Sequence, residues 1–419
     1  MAASRYDTTY EGELNNLTTL LLLIIYLAFI SLGLPDSLLG AVWPAMQPDL
    51  HAPLESAGLL YMTITAGTIA SSLASGYILR RFQTGHVTTV STLLTACALL
   101  GFAAAPSYLW LLPGAILLGL GAGAVDASLN NYVAAHYKAS HMNWLHCLWG
   151  VGATLGPIIT ASFITEQHEW RQGYAAIACI QFALVLVLFI SLPVWSRVSH
   201  VHRVAEDNAA TRSTGSEDPF LADVPAPRQR TGTKLALASF LLYCGAETAV
   251  GLWGASFLVN VKEMDVSVAA RWVSLFYAGI AVGRFLSGFV TMRLSNRSII
   301  RGGLSLSVAG ALLLLLPLPD SYSLAGFIII GLGYAPIFPC MLHETPVRFG
   351  KRRAQKIIGY QMAAAFTGSA VLPPFIGYIA SYSTIGILPI AVLLLIVVVA
   401  VCSEWLNRLF PDREYAELH

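Results

Sequence analysis

A small number of ionisable side chains lie within long apolar stretches of the sequence, where charge is costly. Asp36, Asp126, His146, Glu247 and Arg284 each stand in a segment that is otherwise almost entirely apolar. An ionised side chain at the centre of a bilayer costs about 2.5–3.5 kcal/mol on insertion scales, so such residues are rare unless they serve a function. A carboxyl group in a partly dry cavity can exchange a proton near neutral pH, and an imidazole can relay one. These residue types predict a site that could couple the movement of a solute to an ion gradient.

Asp126 has the most distinctive surroundings of the five. It follows a run of small residues at 119–123, which allows close helix packing, and Asn130 lies one helical turn further on, on the same face. We expect Asp126 to be a proton-coupling group and Asn130 to help bind the substrate. The alternative for Asp126 is a structural hydrogen bond to a neighbouring helix. Asp36 and Glu247 are expected to act both as proton carriers and as substrate ligands.

Each of the other intramembrane residues has a plainer alternative role. A bend at Pro35 could itself explain the polar Asp36. Glu247 could simply pair with Arg284, and we expect Arg284 to be a structural partner of an acid rather than a clamp on the substrate. His146 is a single histidine on a glycine-rich helix. It is expected to bind substrate or relay a proton, although packed histidines with satisfied nitrogens are common.

Four further side chains are candidates for the substrate site. Trp149 lies three residues after the histidine, and Trp253 lies six residues after Glu247, so each could share a cavity with its neighbour. Tyr360 and Gln361 are adjacent in a later apolar segment. Sugars are held by amide groups that hydrogen-bond their hydroxyls and by aromatic faces that contact the C–H side of the ring. The alternative for each aromatic residue is packing in the core or against lipid.

The elements that must position these residues are transmembrane helices. The 419 residues are 56% apolar and only 11% charged, with a net charge of +1, whereas soluble chains have about 25% charged residues. This excludes an ordinary soluble enzyme, a disordered scaffold and a nucleic-acid binder, and the continuous apolar runs exclude a porin-like barrel. Segments of about 20 apolar residues predict twelve helices. Their expected ranges are 18–48, 56–79, 87–106, 109–135, 143–165, 173–196, 235–260, 267–292, 299–317, 322–346, 356–381 and 384–408. The first contains Pro35, Pro44 and Pro48 and should bend.

The distribution of basic residues predicts the orientation of these helices. If both termini are cytoplasmic, 20 of the 24 lysines and arginines lie on the cytoplasmic side and three on the outer side, with Arg284 inside a span. This asymmetry obeys the positive-inside rule, which a missed or extra helix would destroy. We therefore expect a multi-pass protein of the plasma membrane, or of the inner membrane in a bacterium, with both termini in the cytoplasm.

The chain also divides into two similar halves. Residues 197–234 are rich in charged residues, serine, threonine and proline, and predict a linker. At a shift of 212 residues, the fourth helix matches the tenth through Gly114, Gly119 and Gly121 with Gly326, Gly331 and Gly333. The predicted division is a cytoplasmic N-terminal tail (1–17), a six-helix bundle (18–196), the cytoplasmic linker (197–234), a second six-helix bundle (235–408) and a cytoplasmic C-terminal tail (409–419).

These features resemble those of the major facilitator superfamily. GYILRRFQTG (76–85) and GFVTMRLSNRS (288–298) resemble its short cytoplasmic signature, a glycine near a helix end followed by basic residues. VDASLNNYV (125–133), NWLHCLWGVGATLGP (143–157) and GAETAVGLWGASFLVN (245–260) resemble the branch of sugar:cation symporters that contains the fucose permeases and sodium-dependent glucose transporters. The resemblance implies an all-α membrane protein with twelve transmembrane helices in two pseudo-symmetric six-helix bundles. It also implies that helices 1, 4, 7 and 10 line a central cavity, so that Glu247 faces the substrate.

The function expected from the sequence is secondary active transport. A small polar solute, in the first place a sugar, would cross the membrane by alternating access coupled to a proton or sodium gradient. The alternatives are a proton-coupled efflux antiporter for drug-like or other small organic solutes and, more distantly, a non-transporting nutrient sensor. An enzyme would need a nucleophile–base pair or a metal cluster, and the sequence shows neither. We expect no cofactor or metal beyond H+ or Na+ as coupling ion. The expected partners are a monosaccharide and the lipid bilayer but no nucleic acid, with the monomer as the functional unit.

Overall fold

The computed structural model of the chain is almost entirely helical and describes residues 2–137, 139–164, 169–210 and 226–411. No β-strand occurs within these ranges. The helices are α1 (Ala2–Asp36), α2 (Leu38–Asp49), α3 (Ser56–Ile78), α4 (Thr84–Ala103), α5 (Tyr108–His136), α6 (Ala139–Ala161), α7 (Trp170–Ala210), α8 (Ala226–Lys262), α9 (Val266–Val290), α10 (Asn296–Leu315), α11 (Asp320–Tyr334), α12 (Ile337–Phe349), α13 (Lys351–Ser381) and α14 (Leu388–Leu409).

These helices make twelve spans, because α1 with α2 and α11 with α12 each form one interrupted span. Among the described residues, eleven segments are long and apolar enough to cross a membrane by length and composition. The remaining span is α6. The predicted all-α membrane fold is therefore confirmed.

The first span is interrupted next to Pro35, in the region where the sequence predicts a bend. Pro35 lacks a backbone N–H and its ring crowds the preceding turn of the helix, and α1 ends one residue later, at Asp36. Ser37 separates this helix from α2. At the other end, α1 begins at Ala2, where the sequence predicts a tail over 1–17, because no proline interrupts the chain before the bend. The break places the carboxylate of Asp36 at the end of a helix.

The predicted linker is shorter in the structure than in the sequence analysis. Helix α7 continues to Ala210 and α8 begins at Ala226, so both helices extend into the range 197–234. The middle of this range, 211–225, lies outside the described residues, as do residues 412–419 of the predicted C-terminal tail.

The internal repeat is present in the helix packing. A Cβ atom added at Gly119 would lie 2.0 Å from the carbonyl oxygen of Ile64, and one added at Gly331 would lie 2.2 Å from the carbonyl oxygen of Phe276. Both glycines and both contacted residues are related by the same shift of 212, so α3–α5 and α9–α11 cross at equivalent points. Further pairs at this shift are Gly67–Ile116 with Gly279–Ile328 and Gly114–Phe102 with Gly326–Leu314. The two bundles share one packing scheme, as predicted.

The two bundles meet through α2 with α8, α3 with α13, and α6 with α9. At one end of the α3–α13 pair, a Cβ atom at Gly58 would lie 2.7 Å from the Cα atom of Pro374. At the other end, added Cβ atoms at Gly76 and Gly359 would meet no described atom within 4 Å. We call this second end, where α3 ends and α8 begins, the linker end. The bundles touch at the first end, whereas neither of the two glycines at the linker end touches the other bundle.

Candidate functional site

A cavity of about 680 Å³ lies between the two bundles. Its walls come from both halves of the chain, and they extend to Asn296 and His343 near the linker end. The five intramembrane ionisable residues named from the sequence all line it: Asp36, Asp126, His146, Glu247 and Arg284. Residues that are up to 248 positions apart in the sequence thus share one water-accessible space.

The N-terminal bundle contributes two carboxylates with nitrogen donors. Trp149 Nε1 donates a hydrogen bond to Asp36 Oδ2 over 2.7 Å. Asn130 Nδ2 donates to Asp126 Oδ1 over 2.9 Å, from the next turn of α5. Asn130 itself is not part of the cavity wall. The amide therefore orients the carboxylate of Asp126 and does not face the solute space, where the sequence prediction put it.

The C-terminal bundle contributes an ion pair. Arg284 Nη2 lies 3.8 Å from Glu247 Oε1, and both side chains are 18% exposed. This separation is beyond hydrogen-bond distance. The guanidinium carbon of Arg284 also lies 5.3 Å from the ring centroid of Trp149, within the range of a cation–π contact. The geometry agrees with the expected pairing of Arg284 with an acid.

His146 faces the cavity from α6. Its ring meets Phe29 edge-on, with ring centroids 5.9 Å apart and an interplanar angle of 90°. Within the described part of the chain, its ring nitrogens have no hydrogen-bond partner. The residue thus differs from a packed histidine with satisfied nitrogens, and its imidazole is available to a solute or to water.

Three predicted ligands lie away from the cavity. Trp253 is completely buried, and its Nε1 donates to the carbonyl oxygen of Pro373 over 2.8 Å. Gln361 is buried and accepts a hydrogen bond of 3.0 Å from Thr345 Oγ1. Tyr360 is 49% exposed and does not line the cavity. Trp253 and Gln361 are therefore packing residues, and Tyr360 lies at the periphery. None of the three lies where a solute in the cavity could reach it.

The cavity also contains hydroxyl groups that the sequence analysis did not single out. Tyr61, Thr65 and Thr68 line it from one face of α3. Opposite them, Thr248 Oγ1 donates to Ser369 Oγ over 3.0 Å, and both residues line the cavity. The spacing of 61, 65 and 68 is that of one helix face, so the periodicity of hydroxyl residues in an apolar helix was an available signal. The threonine hydroxyls of α3 donate to carbonyl oxygens of their own helix, so their oxygens can accept hydrogen bonds from a polyhydroxylated solute.

The residues of this site can bind a polar solute and can bind or release a cation. Three carboxylates, one arginine and one imidazole can hold protons or a cation, and the hydroxyls can hold a neutral polar solute. Among the described residues, no group of three or more His, Cys, Asp and Glu could hold a metal ion.

Two interrupted spans, a repeated six-helix unit and a cavity between the two bundles that contains intramembrane charges are typical of membrane transporters. Residues 25–343 and 235–415 match the sequence profile of the Major Facilitator Superfamily. The chain belongs to this superfamily, a family of membrane transporters and not of enzymes. It is a multi-pass membrane protein that takes a small molecule as its substrate.

The individual proteins to which the chain is similar share a low sequence identity with it. The chain is 25% identical over 374 residues to the glucose/mannose transporter GlcP of Bacillus subtilis (strain 168), which covers 86% of this chain and 88% of that protein. It is 25% identical over 438 residues to Bypass of stop codon protein 6 of Saccharomyces cerevisiae, covering 97% and 85%. The crystal structure of a D-xylose-proton symporter superposes with a TM-score of 0.72 at 12% identity, covering 94% of this chain and 98% of that one. This last similarity shows the fold alone.

Proposed function

We propose that this protein is a secondary active transporter that moves a small polar solute, in the first place a monosaccharide, by alternating access coupled to a proton gradient or, alternatively, a sodium gradient. The observation that supports this most directly is the gathering of three carboxylates, an imidazole and several hydroxyls in one cavity between the bundles. The relationship to a glucose/mannose transporter supports the sugar as substrate class.

The charge of the cavity supports coupling to a cation. Asp36, Asp126 and Glu247 oppose Arg284, so with all of them ionised and His146 neutral the cavity has a net charge of −2. An excess of charge in a partly dry space is costly. Two bound protons or cations would neutralise it, and we assign the proton-coupling role to Asp126 and Asp36 and a shared role in coupling and binding to Glu247.

The orientation follows from the basic residues. With both termini in the cytoplasm, the linker end is cytoplasmic, and the cavity of this conformation is open to the inside of the cell. We propose the plasma membrane, or the inner membrane of a bacterium, as the location and the monomer as the functional unit.

A second candidate function is proton-coupled efflux of aromatic or other apolar cations. It is favoured by the lining itself, because Asn130 and Gln361 do not line the cavity whereas Phe29, Tyr61 and Tyr277 do. Aromatic faces together with carboxylates suit an organic cation.

Transport in proteoliposomes tests these assignments. We expect the purified protein to exchange labelled hexose in counterflow and to accumulate it against an imposed pH or sodium gradient. Asp126→Asn should abolish gradient-driven accumulation and retain counterflow, because a neutral amide cannot carry a proton. Glu404→Gln, which removes an exposed carboxylate outside the cavity, is the matched control. Full accumulation by Asp126→Asn would refute its coupling role. Exchange of organic cations in place of any hexose would favour the second function.

A further inference from the structure

Trp149 contacts ionisable groups of both bundles. Its indole N–H donates to Asp36 of the N-terminal bundle over 2.7 Å. The face of the same ring lies 5.3 Å from the guanidinium carbon of Arg284 in the C-terminal bundle, and that guanidinium faces Glu247 at 3.8 Å. Trp149 is on α6 and Arg284 on α9, which pack against each other across the interface between the bundles. One indole thus joins the acid of one half to the ion pair of the other.

The indole is held in a defined orientation. A Cβ atom at Gly33 would lie only 2.1 Å from the carbonyl oxygen of Trp149, so the backbones of α1 and α6 touch beside it. On the other side, Tyr277 of α9 meets the indole at an interplanar angle of 77°, with ring centroids 6.4 Å apart. Because the backbone of Trp149 is fixed beside α1 and its ring is confined by Tyr277, loss of the hydrogen bond to Asp36 shifts the ring and thereby changes its contact with Arg284.

We infer that Trp149 is a positioning residue for ion coupling, which ties the charge state of Asp36 to the contact between α6 and α9. This inference rests on the transport function proposed above. An N–H group donates more strongly to a carboxylate than to a neutral carboxyl group. The indole is therefore held firmly while Asp36 is ionised and is released when Asp36 takes up a proton. Its release weakens the cation–π contact that crosses the interface, and the two helices are free to move past each other.

Other titratable groups face the same space and must be common to all variants compared. They are Tyr61 of α3, Asp126 of α5, His146 of α6, Tyr174 of α7, Cys244 and Glu247 of α8, Tyr277 and Arg284 of α9, and Cys340 and His343 of α12. None of them changes when Trp149 is replaced, so a difference in pH dependence between variants at this one position reports the indole.

Two substitutions separate the two contacts of the indole. Trp149→Phe keeps an aromatic face for Arg284 but lacks the N–H, whereas Trp149→Leu lacks both. For Trp149→Phe we expect the pH of half-maximal gradient-driven uptake to rise by about one unit, since a carboxylate that loses such a donor is protonated more readily. Its counterflow KM is measured in parallel, because Trp149 lines the cavity and the smaller ring also changes the contacts with the solute. The pH of half-maximal uptake is the readout of the positioning role. Trp149→Leu should slow counterflow as well.

The matched control is Trp144→Phe. Trp144 is also on α6 and also meets an aromatic ring of α9, Phe285, edge-on at 6.1 Å, but it is 53% exposed and outside the cavity. We expect its pH profile to equal that of the wild type. In an Asp36→Asn background, Trp149→Phe should produce no further shift. If Trp149→Phe reduces the yield of folded protein, the pH profile of Trp149→Leu, which also lacks the indole N–H, replaces it with the same expected shift.

The outcomes separate this inference from the proposed function. A wild-type pH profile in Trp149→Phe, or an equal shift in Trp144→Phe, would overturn the positioning role while transport stands. Uptake that is independent of pH in the wild-type protein would overturn proton coupling itself, and the positioning role with it, before any variant is compared.

Discussion

The linker ends of the two bundles are held together by different interactions. In the C-terminal bundle, the Oε2 atom of Glu344 lies 3.2 Å from the Nε atoms of both Arg297 and Arg348. Arg348 Nη2 also donates to Asn407 Oδ1 over 2.9 Å. The side chains of the two arginines and the glutamate are at most 8% exposed. Charge and hydrogen bonds therefore join α10, α12 and α14.

The equivalent positions of the N-terminal bundle, 212 residues earlier, are Gly85, Tyr132, His136 and Trp195. The ring of Tyr132 packs against the rings of His136 and Trp195 in tilted arrangements, with centroid-to-centroid distances of 4.4 and 5.2 Å. A Cβ atom at Gly85 would lie 2.6 Å from Trp195 Cγ, so the indole fills the space next to this glycine. A glycine and a tryptophan in one bundle thus occupy the positions of an arginine and an asparagine in the other. The packing positions are repeated, but their chemistry is not.

The cavity shows the same contrast. At the shift of 212, Asp126 corresponds to Phe338, and Arg284 corresponds to Ser72. Asp126 and Phe338 both line the cavity, so equivalent positions present a carboxylate from one bundle and an apolar ring from the other. Backbone contacts through glycine preserve the repeated scaffold, because a larger residue there would push two helices apart. The side chains that face the cavity are free of this constraint, and the two bundles have divided the chemistry between them.

The largest effect on this comparison should come from Glu344→Gln. It removes the carboxylate between two buried guanidinium groups, and breaking a buried ion pair at one partner costs about 3–5 kcal/mol. The equivalent change in the other bundle, Tyr132→Phe, should cost less than about 1 kcal/mol. Thermal unfolding of the two variants in the same detergent measures the difference. An equal loss of stability would mean that the ionic cluster is no more important than the aromatic one.

The repeated scaffold is tested by glycine substitutions. Gly119→Ala and Gly331→Ala each force a Cβ atom against a backbone carbonyl oxygen, at 2.0 and 2.2 Å. Each should lower the free energy of unfolding by about 2 kcal/mol, as overpacking does. Gly76→Ala and Gly288→Ala, also related by 212, meet no described atom within 4 Å and should be neutral or gain up to about 1 kcal/mol. A loss in only one bundle would contradict the equivalence of the two crossings.

The smallest effect is expected at the surface of the C-terminal bundle. Arg301 donates two hydrogen bonds to Glu404, of 2.6 and 2.8 Å, but the two side chains are 56% and 42% exposed. Exposed ion pairs contribute about 0–1 kcal/mol and are screened by salt. Arg301→Ala should therefore shift thermal unfolding far less than Glu344→Gln, with a difference from the wild type that shrinks at high salt. A loss that matches Glu344→Gln at high salt would contradict this ranking by burial.

Much of the fold could be predicted from the sequence, because the bilayer imposes a length and an apolar composition on each span. The ends were less predictable: α1, α7 and α8 continue into polar segments where composition alone predicts tails and a linker. A charge in a membrane span needs water or a partner. This requirement singles out the five ionisable residues in the sequence, and it also explains why all five line the cavity. Their individual roles in transport stay predictions.

Helical phase explains which of the predicted aromatic ligands line the cavity. Trp149 lies three residues after His146, a rotation of about 300° that returns it close to the same face, and both line the cavity. Trp253 lies six residues after Glu247, a rotation of about 240°, so it points elsewhere. Gln361 could not have been placed in this way, because its partner Thr345 is on a different helix and the pairing depends on tertiary structure.

The interruption of the first span at Ser37 separates two tasks that a continuous helix would have to perform together. Asp36 is the last residue of α1, whereas Gly40, whose Cβ atom would lie 2.2 Å from the carbonyl oxygen of Gly251, belongs to α2. A rotation about Ser37 moves α2 and its crossing with α8, while α1 keeps the carboxylate of Asp36 beside Trp149. In the proposed transport cycle, opening of the cavity at the end opposite the linker end and release of the ion from Asp36 can thus occur at different times.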